Sequence, residues 1–165
     1  MFTAVSLDPQ NKVLILTGTG DWFIKDADFA AFGDLGSGLG WSIVASHGRR
    51  MAQSYIDCDL PIIAAVNGRA PIHSELAVLA DIAVASEQAL FQDPHIANGV
   101  APGDGIHAAW TELLGVNHAR HFLLTGQKLD ARRRTTSVWW PRSFLWAPCR
   151  SARRKSPRTS RRNPA

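Results

Sequence analysis

Residues 60–81 read LPIIAAVNGRAPIHSELAVLAD. Pro61 to Val66 is a short apolar run with β-branched members, and Asn67-Gly68 follows it as a turn signal. The spacing predicts a buried strand that ends in a tight turn. Pro71 suits the first position of a helix, where its missing N–H has no intrahelical partner to lose. Ile72, Leu76, Leu79 and Ala80 then fall at i, i+4, i+7 and i+8, one face of a helix. The first turn of that helix is expected to present unpaired N–H groups at its positive end. Such donors stabilise an oxygen that gains negative charge during a reaction. His73 and Glu75 sit on the same expected turn, which brings a base and a carboxylate close to the donors in sequence. Most strand–turn–helix units do no chemistry, and their helix starts bind only water. This stretch alone leaves both readings open.

The flanking sequence supplies more elements of the same kind. Before it, residues 8–12 form a polar turn and Val13 to Leu16 a short strand, ending in Thr17-Gly18-Thr19-Gly20. Those glycines lack the Gly-Lys-Ser/Thr of a phosphate loop and the G-x-G-x-x-G spacing, so they read as a turn. Residues 21–32 mix aromatics and acids, as a loop beside a pocket or as loop aromatics tucked onto a core. Residues 33–40 hold four glycines, and 41–57 predict a helix with Ile43, His47, Met51 and Tyr55 on one face. After the central unit, short apolar runs at 82–85 and 89–92 predict strands. DPHIANGVAPG at 93–103 predicts a loop, and 105–114 a helix with Ile106, Ala109, Trp110, Leu113 and Leu114 apolar. Asn117 is placed to cap a last helix through Thr125, and Gly126 to end it. Strands feeding helices across one core give an α/β fold class.

The chain has 165 residues, a formal charge of +4 and 45% hydrophobic residues, consistent with one domain and a real core. The average charge hides a division. Residues 1–131 carry seven Lys/Arg against fourteen Asp/Glu, a balance of −7, while 132–165 carry eleven Lys/Arg and no acid. A basic partner surface is therefore confined to the tail, and nucleic acid is an expected partner only through it. The tail has no helical or strand periodicity and breaks sharply from LLTGQKLDA. It reads as a basic low-order arm or as a misread frame. Two cysteines, Cys58 and Cys149, show neither metal nor disulfide spacing. No secretory leader or membrane-length apolar run is present, so a cytoplasmic protein with no membrane partner is expected. No metal site and no cofactor are expected, since no ligand cluster or nucleotide fingerprint occurs.

Individual titratable residues each have a plain reading as well. Asp104 precedes a helix and is placed to cap it, which lowers a carboxyl pKa and opposes acid catalysis. His95 lies in a turn-rich loop, where packing or surface histidines are common. Glu75 reads as a helix residue or an ion-pair member. His107, His118 and His121 fall on helices with no matched partner and are taken as structural.

Three segments together resemble the crotonase (enoyl-CoA hydratase/isomerase) superfamily: VLILTGTGDWFIKDADF, PIIAAVNGRAPIHSELAVLADIAVAS and FQDPHIANGVAPGDGIHAAW. The likeness continues through LGVNHARHFLLTGQKLDA and covers most of residues 10–131. The HSE turn, the Pro94-His95 pair and PGDG are most similar to the β-diketone hydrolases of the 6-oxocamphor hydrolase type. The resemblance implies a spiral of ββα turns, here an incomplete core, assembled as a homo-oligomer, a trimer or hexamer. It implies an oxyanion hole built from the backbone N–H groups of Ala27 and Ile72, with Trp22 and Phe23 at the substrate pocket. Glu75 matches the first of the two glutamates by which hydratases handle water, whereas the second aligns with His95. Ala70-Pro71-Ile72-His73 replaces the usual glycine-rich turn, and Lys25-Asp26 the usual Ala-Gly. A catalytic set of His73, His95 and Asp104, with Glu75, follows from the resemblance. His95 is its general base, Asp104 helps return a proton to carbon, and His73 binds a carbonyl or orients Asp104. Hydrolysis of a carbon–carbon bond in a small-molecule β-diketone is the first expectation. A hydratase or isomerase using a coenzyme A thioester as substrate is the second, and an inactive fragment or a tail-borne binding protein the third. Relatives are expected to carry further strands before residue 10 and helices after 131.

Overall fold

A computed structural model describes residues 2–32 and 37–130. The basic tail expected at 132–165 lies outside these residues, as does Cys149. In chain order the elements are α1 (Phe2–Ser6), β1 (Leu14–Thr17), a 3-10 turn (Phe29–Phe32), α2 (Gly38–Ile56), β2 (Ile62–Val66), β3 (Arg69–Ala70), α3 (Glu75–Val78) and β4 (Ile82–Ala85). Then come β5 (Leu90–Phe91), a 3-10 turn (Ile96–Asn98), α4 (Ile106–Leu114), α5 (Val116–Thr125) and β6 (Leu129–Asp130).

The strands form two small sheets, and the chain alternates between them. The first has the order β1-β2-β4, all parallel, with Leu14 opposite Ile62 and Ile63 opposite Ile82. The second has the order β3-β5-β6, with Arg69 opposite Leu90 in parallel and Phe91 opposite Leu129 antiparallel. A single parallel bridge from Trp22 to Arg69 extends the second sheet toward the N-terminus. The path is thus a three-fold repeat: β1, Trp22, α2; then β2, β3, α3; then β4, β5, α4. Each turn places one strand in each sheet before its helix. This is the α/β spiral of ββα turns that the resemblance implies.

Asn67 makes the corner between the sheets. Its side-chain oxygen accepts the Gly18 N–H at 3.0 Å, and its amide donates to Gly20 O at 2.7 Å and Trp22 O at 3.2 Å. The backbones here approach so closely that side chains are excluded. A Cβ on Gly18 would lie 1.9 Å from Trp22 O, and one on Gly68 would lie 2.1 Å from Asp21 O. The core beneath is built on small strand residues, Ala64, Val66, Ala83 and Ala85, against which Ile106 and Trp110 of α4 and Phe122 of α5 pack. Trp110 lies 4.7 Å from Phe122 and 5.8 Å from Phe91, ring centre to ring centre.

Several sequence-based expectations need correction. The central helix does not open at Pro71; it spans only Glu75–Val78. His73 adopts φ +48, the left-handed region that a helix of L-residues excludes, so no helix can run from Pro71 through it. The helical face counted across that residue breaks up as well: Leu76 is buried but Leu79 is 36% exposed. One helical turn also has no substantial macrodipole, which removes the dipole part of the oxyanion argument. Ser74, in the N-cap position, makes no cap hydrogen bond. Its hydroxyl instead donates to Gln92 O and accepts the Trp110 indole N–H at 3.1 Å, tying α3 to α4. Asn117 is the second residue of α5 rather than its cap; Gly115 holds the cap position, while Gly126 ends the helix in the left-handed region as expected. On the α2 face that carries Ile43, His47, Met51 and Tyr55, Tyr55 is buried and His47 is exposed. The short α1, β3 and β6 have no counterpart in the sequence reading.

Candidate active site

Three loops deliver one titratable cluster. The bend before α3 supplies His73 and Glu75, the segment after β5 supplies Asp93 and His95, and the turn into α4 supplies Asp104. His73 Nδ1 bonds Glu75 Oε1 at 2.8 Å and lies 3.6 Å from Asp104 Oδ2. His95 Nδ1 bonds Asp93 Oδ1, and His95 Nε2 lies 3.5 Å from Asp104 Oδ2. Two carboxylate–imidazole pairs therefore flank one shared aspartate. The structure brings together all four titratable residues singled out in the sequence: His73, Glu75, His95 and Asp104.

Each loop has a local reason for its shape. The left-handed backbone at His73 turns its ring toward the acid two residues on, which a helical His73 would not do. Pro94 lacks an N–H, and Asp93 Oδ1 reaches across it to the His95 N–H at 3.2 Å, a side-chain-closed turn. Asp104 divides its two oxygens. Oδ1 accepts the Ile106 N–H at 3.3 Å at the start of α4, and Oδ2 faces both histidines. The capping and site readings of Asp104 thus coexist in one side chain. Gly48 of α2 backs this turn, since a Cβ there would stand 3.5 Å from the Asp104 Cβ.

The two outer carboxylates are fully buried, and each leaves one oxygen, Glu75 Oε2 and Asp93 Oδ2, without a hydrogen-bond partner. Anions in such surroundings draw protons toward their neighbours. The hydrogen bond to Glu75 raises the His73 pKa, with burial opposing and Asp104 adding to the rise. Burial raises the Glu75 carboxyl, with the His73 bond opposing. The hydrogen bond to Asp93 raises His95, with burial opposing and Asp104 and Glu75 adding to the rise.

Raised native pKa values mean that the folded state holds protons the unfolded chain has released. For the histidines this contribution to stability is complete below the ordinary value of 6.5 and fades as pH rises through the raised native values. Glu75 acts in the same sense from its own lower ordinary value. The urea midpoint is therefore expected to fall between pH 6 and pH 9. Replacing both His73 and His95 by glutamine is expected to flatten that slope. A midpoint that rises with pH would contradict the proton balance.

His73, Glu75 and Asp104 offer three ligand-type atoms within 4.8 Å of one another, donor types that a small divalent cation takes. A cation there would compete with the proton between His73 and Glu75.

The backbone donors are less uniform. The Ile72 N–H has no acceptor among the described residues, whereas the Ala27 N–H donates to the neighbouring Asp26 Oδ1 at 2.9 Å. Trp22 is half-buried with the Arg69 guanidinium 5.3 Å above its ring, and Phe23 is a core residue at 5% exposure. An open cleft of about 490 Å³ is lined by Phe2, Leu16, Arg50, Met51, Ser54 and Leu76 and includes none of the cluster. Asp93 is the cluster member that the sequence reading passed over. Its signal was an acid two positions before a histidine, with proline between.

The enoyl-CoA hydratase/isomerase family profile matches residues 1–134. The chain is 42% identical to the structure of a β-diketone hydrolase from Anabaena sp. PCC 7120 bound to (S)-3-oxocyclohexyl acetic acid. That match has a TM-score of 0.75 and covers 79% of this chain and 53% of that one. It is 34% identical to a crotonyl-CoA hydratase of Syntrophomonas wolfei over 131 residues, 78% of this chain and 50% of the relative. An enoyl-CoA hydratase/isomerase structure from Mycobacterium paratuberculosis matches at 28% identity and TM-score 0.71, covering 81% and 55% of the two chains. The chain spans about half the length of these relatives.

Proposed function

Because the chain belongs to the enoyl-CoA hydratase/isomerase family, the crotonase superfamily, we propose that its histidine–aspartate cluster hydrolyses the carbon–carbon bond between the carbonyls of a cyclic β-diketone. The observation that carries this reading is the position of Asp104 Oδ2, 3.5 Å from His95 Nε2 and 3.6 Å from His73 Nδ1. A hydratase of this family handles water with two glutamates. Here the second of those positions is a histidine backed by its own buried carboxylate. The Anabaena hydrolase supports the choice, since its ligand is both a ketone and a carboxylic acid. Water leaves that pair of groups when it cleaves a bicyclic 1,3-diketone.

The steps balance with water alone. Neutral His95 takes a proton at Nε2 from a water that attacks one carbonyl carbon. The bond from that carbon to the shared central carbon breaks, its electron pair becoming the enolate of the second carbonyl. Asp104, or a water it positions, passes the proton to the central carbon, leaving a ketone and a carboxylic acid. His73 binds the carbonyl oxygen or holds Asp104. The Ile72 N–H is ready to receive the enolate oxygen. The Ala27 N–H joins it by releasing Asp26. Two such donors contribute on the order of 3–4 kcal/mol each to transition-state stabilisation. Half-buried Trp22, at the start of the loop that carries Ala27, forms the aromatic wall of the pocket in this reading, with Phe23 packed in the core behind it. Assembly as a trimer or hexamer and a cytoplasmic location belong to the same proposal. No helix among the described residues is long and apolar enough to cross a membrane.

The second reading is a coenzyme A thioester hydratase, favoured by the 34% identity to a crotonyl-CoA hydratase and by buried Glu75 at its matching position. Parallel assays separate the two. The full chain is expected to consume a bicyclic 1,3-diketone and to leave crotonyl-CoA unchanged. Turnover of the thioester alone would give the second reading.

A further inference from the structure

We propose that Asp93 is a positioning residue that fixes His95 in the Nδ1–H tautomer and so assigns Nε2 as the working nitrogen. The inference deepens the proposed hydrolase reading, but its geometric half stands apart from it. A carboxylate only accepts hydrogen bonds, so a ring nitrogen bonded to it must carry the proton. Asp93 Oδ1 accepts from both the His95 N–H and its Nδ1, which leaves the lone pair of the neutral ring on Nε2. That nitrogen is the one facing Asp104 Oδ2.

The surroundings leave Asp93 little else to do. It is fully buried, and its Oδ2 has no partner. A loop-closing acid needs only the backbone bond, and a surface asparagine would serve as well. Burying a whole carboxylate is costly unless a neighbouring cation or strong donor offsets it. The imidazole of His95 is the group in position to do so. The backbone of His95 is held independently, because its carbonyl accepts the N–H groups of Asn98 and Val100, both at 3.0 Å. With the backbone fixed there, what Asp93 adds is control of the ring. His73 provides an internal comparison: its Nδ1 is held by Glu75, not by Asp93.

The test is nitrogen-15 NMR of the histidine rings in the full chain, titrated in the wild type and in Asp93→Asn. In the wild type, neutral His95 is expected to carry its proton on Nδ1. In the variant, an amide that can donate to Nδ1 is expected to shift His95 toward the Nε2–H tautomer. Its titration midpoint is expected to fall by about one pH unit, the usual effect of removing a close opposite charge, while His73 stays unchanged. Three results overturn the proposal: a wild-type His95 protonated on Nε2 when neutral, a variant His95 with unaltered tautomer and titration, or loss of both histidine signatures together, which marks a structural role only. A variant that does not fold counts as the third of these results, and the wild-type tautomer tests the geometry at His95 Nδ1 by itself. Where diketone turnover is present, Asp93→Asn is also expected to lower kcat about a hundredfold with little change in KM. Absence of turnover in the wild type would remove the hydrolase reading and leave the tautomer result standing.

Discussion

Asp104→Asn is expected to lower β-diketone turnover by about 10²–10⁴-fold, the usual range for losing a proton-transfer group. The substitution separates two roles that share one side chain. Asparagine keeps an oxygen for the Ile106 N–H, so the start of α4 stays closed and the urea midpoint should move little. It loses the charge that faces His73 Nδ1 and His95 Nε2. The carboxylate helps hold protons on both rings, so their titration midpoints should fall together. Near-normal turnover in a folded Asp104→Asn chain would reject the assignment. A large fall in stability with unchanged histidine titration would reduce Asp104 to a cap.

The second large effect concerns folding. Gly68→Ala places a Cβ 2.1 Å from Asp21 O, and Gly18→Ala places one 1.9 Å from Trp22 O. Both obstacles are backbone atoms, pinned by the Asn67 side chain and by the Arg69 N–H bond to Asp21 O. No rotamer change relieves such a clash. The corner between the sheets would have to open, at a cost on the order of the whole stability of a domain, about 5–15 kcal/mol. Either variant is expected to lack a cooperative urea transition. As a contrast, Gly38→Ala has nothing within 4 Å of the new Cβ and should fold normally.

Much of the architecture was legible because it rests on apolar runs of ordinary length. β4 falls where its apolar run predicts it, and β1, β2, α2, α4 and α5 fall within one to three residues of the periodicities that predict them. The second sheet was less legible. β3 and β6 are two-residue strands, and pairing partners rather than composition define them. The start of α3 was misread for a local reason. Pro71 is a sound helix-start signal, but two residues later His73 turns left-handed to reach Glu75, and that contact outweighs the propensity. The site followed the same division. His73 and Glu75 stand out from their place in the central stretch, but only the family resemblance joins them to His95 and Asp104, since spacing alone cannot join segments about thirty residues apart. Asp93 escaped because a short Asp-Pro-His run reads as a turn until its burial is known.

Activation of water against a carbonyl carbon by the cluster around Asp104 is the step that the proposed chemistry requires. Turnover of a bicyclic 1,3-diketone in water enriched in oxygen-18, with the product read by mass spectrometry, follows that step atom by atom. Ring opening to a keto acid that carries one heavy oxygen, located in the new carboxylate, is the expected result. An intact diketone, alongside crotonyl-CoA converted to a hydroxyacyl thioester with the heavy oxygen in its hydroxyl, would contradict it.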